Sequence, residues 1–102
     1  MNGRNKIPDG VYQSVNDEHL NMVIDNTDSL IISYLFNKKA AVYQYSISGN
    51  RITMVSIKQE NGAWYGQQTF YDNITIDFQE PSFYLEKDDT RFVYVASLTD
   101  LD

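Results

Sequence analysis

Fourteen aspartates and glutamates stand beside a single histidine and no cysteine, so any chemistry done by this chain's side chains falls mainly to carboxylates. Two carboxylates flanking a glycosidic bond can hydrolyse it, one as the acid and the other as base or nucleophile. The acids here cluster instead in turn-forming segments, as with Asp25 and Asp28 or Asp88 and Asp89, where they are expected to be solvated turn residues. A calcium site needs several oxygens converging on one point, and Asp25-Asn26-Thr27-Asp28 lacks the glycine and the distal glutamate of an EF-hand loop. His19 follows Asp17 and Glu18 and has the chemistry of a general base, but no nucleophile on a recognisable elbow accompanies it. It is expected to be a surface histidine in a loop. Without cysteine there is no disulfide, no thiol nucleophile and no thiolate-held zinc or iron–sulfur centre, and one histidine cannot build a multi-histidine cage. The expectation is a protein that is not an enzyme and holds neither metal nor cofactor.

Aromatic residues are the other group that could make a site. Trp64-Tyr65 followed by Phe70-Tyr71 places aromatics on both faces of one strand, and outward Tyr or Trp are common anchors of protein interfaces. Together with Tyr43 and Tyr45 these are the candidate ligand- or partner-contact residues. The competing expectation for Trp64 is core packing. Stacking of bases on such rings would require a basic groove, but the eight basic residues are dispersed and the net charge is −6. A field of that sign repels phosphate backbones and anionic lipid heads, so neither nucleic acid nor a membrane surface is an expected partner. It suits a basic protein partner or mimicry of nucleic acid better.

The elements that must position these residues read as strands. A chain of 102 residues is one domain's worth, and its 42% hydrophobic content supports a packed core. Short segments rich in β-branched and aromatic residues recur between turn formers, at 10–15, 20–25, 29–36, 40–47, 51–58, 63–71, 74–79, 82–87 and 91–97. Ser48-Gly49-Asn50 and Glu60-Asn61-Gly62 supply residues that tolerate positive φ, Asp72-Asn73 is a candidate two-residue hairpin loop, and Asp88-Asp89-Thr90 offers Asx-turn oxygens. Helical periodicity is unconvincing; residues 15–22, with Asn16 or Asp17 as a cap, allow at most one short turn. Links this short forbid parallel crossovers. The predicted fold is therefore all-β, an antiparallel meander of eight or nine strands closed into a small barrel, with loose ends near residues 1–6 and 99–102.

Alternation assigns faces. Leu20, Met22 and Ile24, then Ile74, Ile76 and Phe78, then Phe83 and Leu85, are expected to point inward. Tyr43, Tyr45, Met54, Trp64 and Phe70 join them, enough bulk to favour a filled interior over a deep calyx. Segments 29–36 and 91–97 are apolar on both faces, which calls for a cover on the outer wall, either a terminal segment of the chain or a partner.

Gly10-Val11-Tyr12 is similar to the Gly-x-Trp that opens the first strand of small bacterial lipocalin-like barrels of the calycin superfamily, with Tyr12 in place of the Trp. Tyr45-Ser46-Ile47-Ser48-Gly49-Asn50-Arg51-Ile52-Thr53 resembles their central hairpin. The resemblance implies that first and last strands pair to close the barrel and that a basic side chain of the last strand, here Arg91, lies over Tyr12. Two functions are expected: a binding or inhibitor-type barrel whose partner is a protein, and, alternatively, a carrier of a small apolar ligand in the barrel mouth. No apolar signal region follows the first residues, so the cytoplasm is the expected compartment of the sequence as given, or an extracytoplasmic one if an export signal has been removed.

Overall fold

Alternating apolar residues and tight turns resolve into eight strands: β1 (Gly10–Ser14), β2 (Leu20–Asp25), β3 (Leu30–Leu35), β4 (Lys38–Ser48), β5 (Arg51–Glu60), β6 (Ala63–Asp77), β7 (Ser82–Leu85) and β8 (Thr90–Ala96). This computed structural model describes residues 6–101. Each strand pairs antiparallel with the next, and β8 returns to pair with β1, closing the barrel. The closure expected from the sequence is thus present. The hairpin loops have the backbone that tight reversal demands: Phe36 and Asn37 at φ 52° and 64° between β3 and β4, Asn61 and Gly62 at φ 53° and 81° between β5 and β6. A 3-10 turn, Leu98–Leu101, follows β8, with the Asp100 carboxylate accepting the Ser97 amide at 3.2 Å. Residues 1–5 and 102 of the expected loose ends lie outside the described residues.

Inside the barrel a core forms from Ile7, Tyr12, Ile24, Ile31, Tyr45, Ile47, Ile52, Ile74, Phe83, Leu85 and Phe92. Leu20, Met22, Tyr43, Met54 and Ile76 pack against it partly buried, as the alternation predicted. Val11, Val23 and Leu30 are buried as well but stand outside that cluster. They are buried within a single chain, so on this part of the wall the cover is the chain itself.

Residues 15–22, which allow at most one short helical turn, form none: Ser14 Oγ accepts the amides of Asn16 and Asp17, and Asp17 Oδ1 accepts that of His19, so these side-chain oxygens build a loop. Three sequence expectations are corrected. Asp72-Asn73 is not a hairpin loop, and β6 runs through it unbroken. The buried Asp72 carboxylate accepts the amides of Asn73 at 2.7 Å and Lys87 at 3.1 Å, tying the β7–β8 turn to β6 where a reversal was expected. Trp64 is not inward. Ser56 pairs with Gln68 but Ile57 pairs with Gly66, so Gln67 is an extra residue, a β-bulge that flips the faces of everything before it in β6. Finally, Arg91 does not stack on Tyr12. It pairs with Tyr84, its guanidinium lies 5.9 Å from that ring, and it donates to Ser82 Oγ at 3.3 Å on the outer wall, while Tyr12 points inward.

Candidate functional site

The two ends of the barrel are built differently. At one end Ile7, fully buried, enters the barrel as a plug. Its amide donates to the Tyr45 hydroxyl at 3.2 Å, and its carbonyl accepts from Asn26 Nδ2 at 2.7 Å. The Tyr45 hydroxyl in turn donates to Asn26 Oδ1, and the Tyr12 hydroxyl donates to the Pro8 carbonyl at 2.7 Å. Burial pushes the Tyr45 phenol up to about 12, against the smaller opposing effect of the Ile7 amide, and raises Tyr12 further, again by desolvation first. Tyr45 therefore lies in the hydrogen-bond network of the sealed end.

The opposite end is open. A cavity of about 320 Å³ lies in the barrel mouth, walled by Met22, Ile31, Tyr43, Met54, Phe70, Phe83 and Leu85, with Tyr71, Asp72, Lys87 and Asp88 at the rim. The filled interior expected from the sequence thus holds at the sealed end only; bulky side chains run out where β5 and β6 rise beyond the other strands. A wider depression of about 450 Å³ on the outer wall near Pro81 and Arg91 has more polar surroundings, with Asp77, Glu80 and Ser82 in its wall. The mouth is the better ligand candidate because its walls are apolar and concave.

From this mouth the β5–β6 hairpin projects as a ribbon. β4 pairs with β5 only as far as Ser56, and β7 pairs with β6 only from Ile74, so among the described residues 57–60 and 63–66 have no strand partner but each other. Along it Trp64, Tyr65, Phe70 and Tyr71 are 44%, 49%, 38% and 47% exposed. The ladder puts Tyr65 and Phe70 on the mouth-side face, opposite Lys58 and Met54, and Trp64 and Tyr71 on the outer face, opposite Gln59 and Thr53. Tyr43 meets the edge of Phe70 at 5.9 Å inside the mouth, and the Arg51 guanidinium lies 5.3 Å from the Tyr71 ring. Five of the six aromatic candidates therefore converge on the mouth and its ribbon; Tyr45 does not. The sequence did not single out Ile7, whose signal was a lone apolar residue before Pro8-Asp9-Gly10.

Several carboxylates brace turns. Asp25 accepts the Thr27 amide at 3.0 Å, Asp77 those of Gln79 and Glu80 at 2.9 and 3.2 Å, and Asp89 the Tyr84 hydroxyl at 2.6 Å, which holds the Tyr84 proton more tightly than usual. His19 is exposed and stacks on Phe36 at 4.4 Å, in the loop position expected. No helix of the described residues is long and apolar enough to cross a membrane. No protein-family model, curated protein or solved structure matches this chain.

Proposed function

We propose that this lipocalin-like barrel is a non-enzymatic binding protein that engages a protein partner through its β5–β6 ribbon. The observation that carries the reading is four large aromatic side chains exposed along one uncharged stretch, residues 63–71, of a projecting strand. Exposed aromatics in this density are typical of interface centres, whereas single exposed apolar residues need no explanation. That Asp25, Asp77 and Asp89 spend carboxylate oxygens on turn hydrogen bonds supports a non-catalytic role. Affinity purification from native cells with chemical cross-linking tests it: partner cross-links are expected on residues 58–71. A tagged chain that repeatedly retrieves nothing, while the purified protein carries a small molecule in native mass spectrometry, would refute it.

A second reading is favoured by the mouth cavity: carriage of a small apolar ligand against Met22, Met54 and Phe70. Titration with an apolar reporter dye examines it directly. Met54→Trp, which fills the mouth, should abolish dye binding; unchanged binding would place the dye elsewhere and remove the cavity as the ligand site.

A further inference from the structure

We propose that the free edge of β6 pairs antiparallel with the same edge of a second copy of this chain, about a two-fold axis between Gln67 and Gln68. The proposal deepens the protein-contact reading and rests on it. Closing a barrel removes sheet edges, yet among the described residues 63–71 of β6 have a strand partner on one side only. Edges elsewhere on this end carry charge: Lys38 and Lys39 on β4, Lys58 and Glu60 on β5. Residues 63–71 contain no charged side chain and no proline, so nothing in their chemistry discourages a further strand.

The sequence of this edge says which strand fits. Read in either direction, Trp64-Tyr65-Gly66-Gln67-Gln68-Thr69-Phe70-Tyr71 gives two aromatics, a small residue, two glutamines, a small residue and two aromatics. A two-fold axis at its centre sets Trp64 opposite Tyr71 of the second copy, Tyr65 opposite Phe70, Gly66 opposite Thr69 and Gln67 opposite Gln68. Residues directly opposite in an antiparallel pair must share a face. In a regular strand these pairs would not, because they are separated by odd numbers of residues and side chains alternate. The bulge at Gln67 corrects the phase: Trp64 and Tyr71 both lie on the outer face, and Tyr65 and Phe70 both on the mouth-side face. Gln67, the extra residue of each copy, then lies opposite Gln68 of the other. An isologous contact requires this kind of self-complementarity, residue i meeting j and j meeting i. An uncharged contact line also lets two chains of net charge −6 approach without opposed charges at the seam.

Sedimentation of the full chain from low micromolar to millimolar concentration, read together with Trp64 fluorescence, tests the proposal. Trp64 is the only tryptophan, so its emission should shift to the blue as the mass rises to twice 11.8 kDa. Gln67→Lys combined with Gln68→Lys sets like charges opposite one another at the axis and should raise the dissociation constant at least about tenfold. Gln67→Glu combined with Gln68→Glu should do the same, and an equimolar mixture of the two variants should regain the dimer. All these changes are at exposed side chains, and circular dichroism would verify that each variant remains folded. A wild-type chain that stays monomeric at millimolar concentration, a dimer insensitive to both variants, or a mixture that fails to recover would overturn the proposal. In the first case, cross-links from a different protein to residues 58–71 would leave the contact reading standing, and their absence would remove both.

Discussion

Ile7 joins a barrel end that would otherwise open to water, and its contribution is both apolar and polar. The side chain is fully buried, so Ile7→Ala should cost about 2–5 kcal/mol through lost transfer energy and the cavity left behind. Urea denaturation would measure this, and a loss below about 1 kcal/mol would mean the plug packs loosely. Tyr45→Phe probes the polar half. It leaves the Ile7 amide without its acceptor, for an expected cost of about 1–3 kcal/mol at neutral pH despite near-identical shape. Arg91 provides the contrast. It lies on the outer wall against Tyr84 and Ser82, so Arg91→Ala and Arg91→Lys should each move stability by less than about 1 kcal/mol in the same assay. A larger loss from Arg91→Ala that Lys fails to restore would mean that its planar group is held more firmly than an exposed contact allows.

At the scale of elements, β6 is where the barrel departs from a plain meander, and Asp72 is the residue that makes the departure. Its carboxylate holds two amides, one of them on Lys87 fifteen positions away, so Asp72→Ala should release the β7–β8 turn and cost about 1–3 kcal/mol. Hydrogen exchange should accelerate first at Asn73 and Lys87, while β2 and β3 keep their protection; a uniform acceleration would deny Asp72 this local role. Gly10 is a second constraint, at φ 151° with an added Cβ falling 2.4 Å from the Tyr94 ring, so Gly10→Ala should disturb the β1–β8 seam. Strand positions and inward faces were legible in the sequence wherever alternation was regular, as at Leu20, Met22 and Ile24 or at Phe83 and Leu85. The Asx hairpin failed because the oxygen of Asp72 is engaged by an amide that only the folded topology brings near. Trp64 failed because a bulge is a relation between two strands and leaves no mark in the period of one. The aromatic candidates were legible by type, but the mouth cavity was not, since it depends on how far side chains fill a volume.

For the whole molecule, the asymmetry between a sealed and an open end predicts where pH acts. Tyr12 and Tyr45 sit at the sealed end, and burial holds both protons: Tyr45 is pushed from 10.0 to about 12, and Tyr12 beyond that. A phenol with a raised folded value stabilises the fold fully below the unfolded value and loses that contribution as pH rises toward the folded one. Between pH 10 and about 12 the unfolded chain has released protons that the folded chain still holds, so stability must fall with pH in this window. Each such group adds up to about 1.4 kcal/mol per pH unit to the slope. Urea midpoints measured across the window should therefore decline steeply for the wild type. Tyr45→Phe, though less stable at neutral pH, should decline less steeply, because one of the two retained protons is gone. Phenolate absorbance of Tyr45 should appear in the folded protein only near the top of this window, later than in the unfolded chain. An equal slope in Tyr45→Phe and wild type would show that Tyr45 ionises in the folded protein as readily as in the unfolded chain, and the sealed end would then have to be accessible to water in the native state.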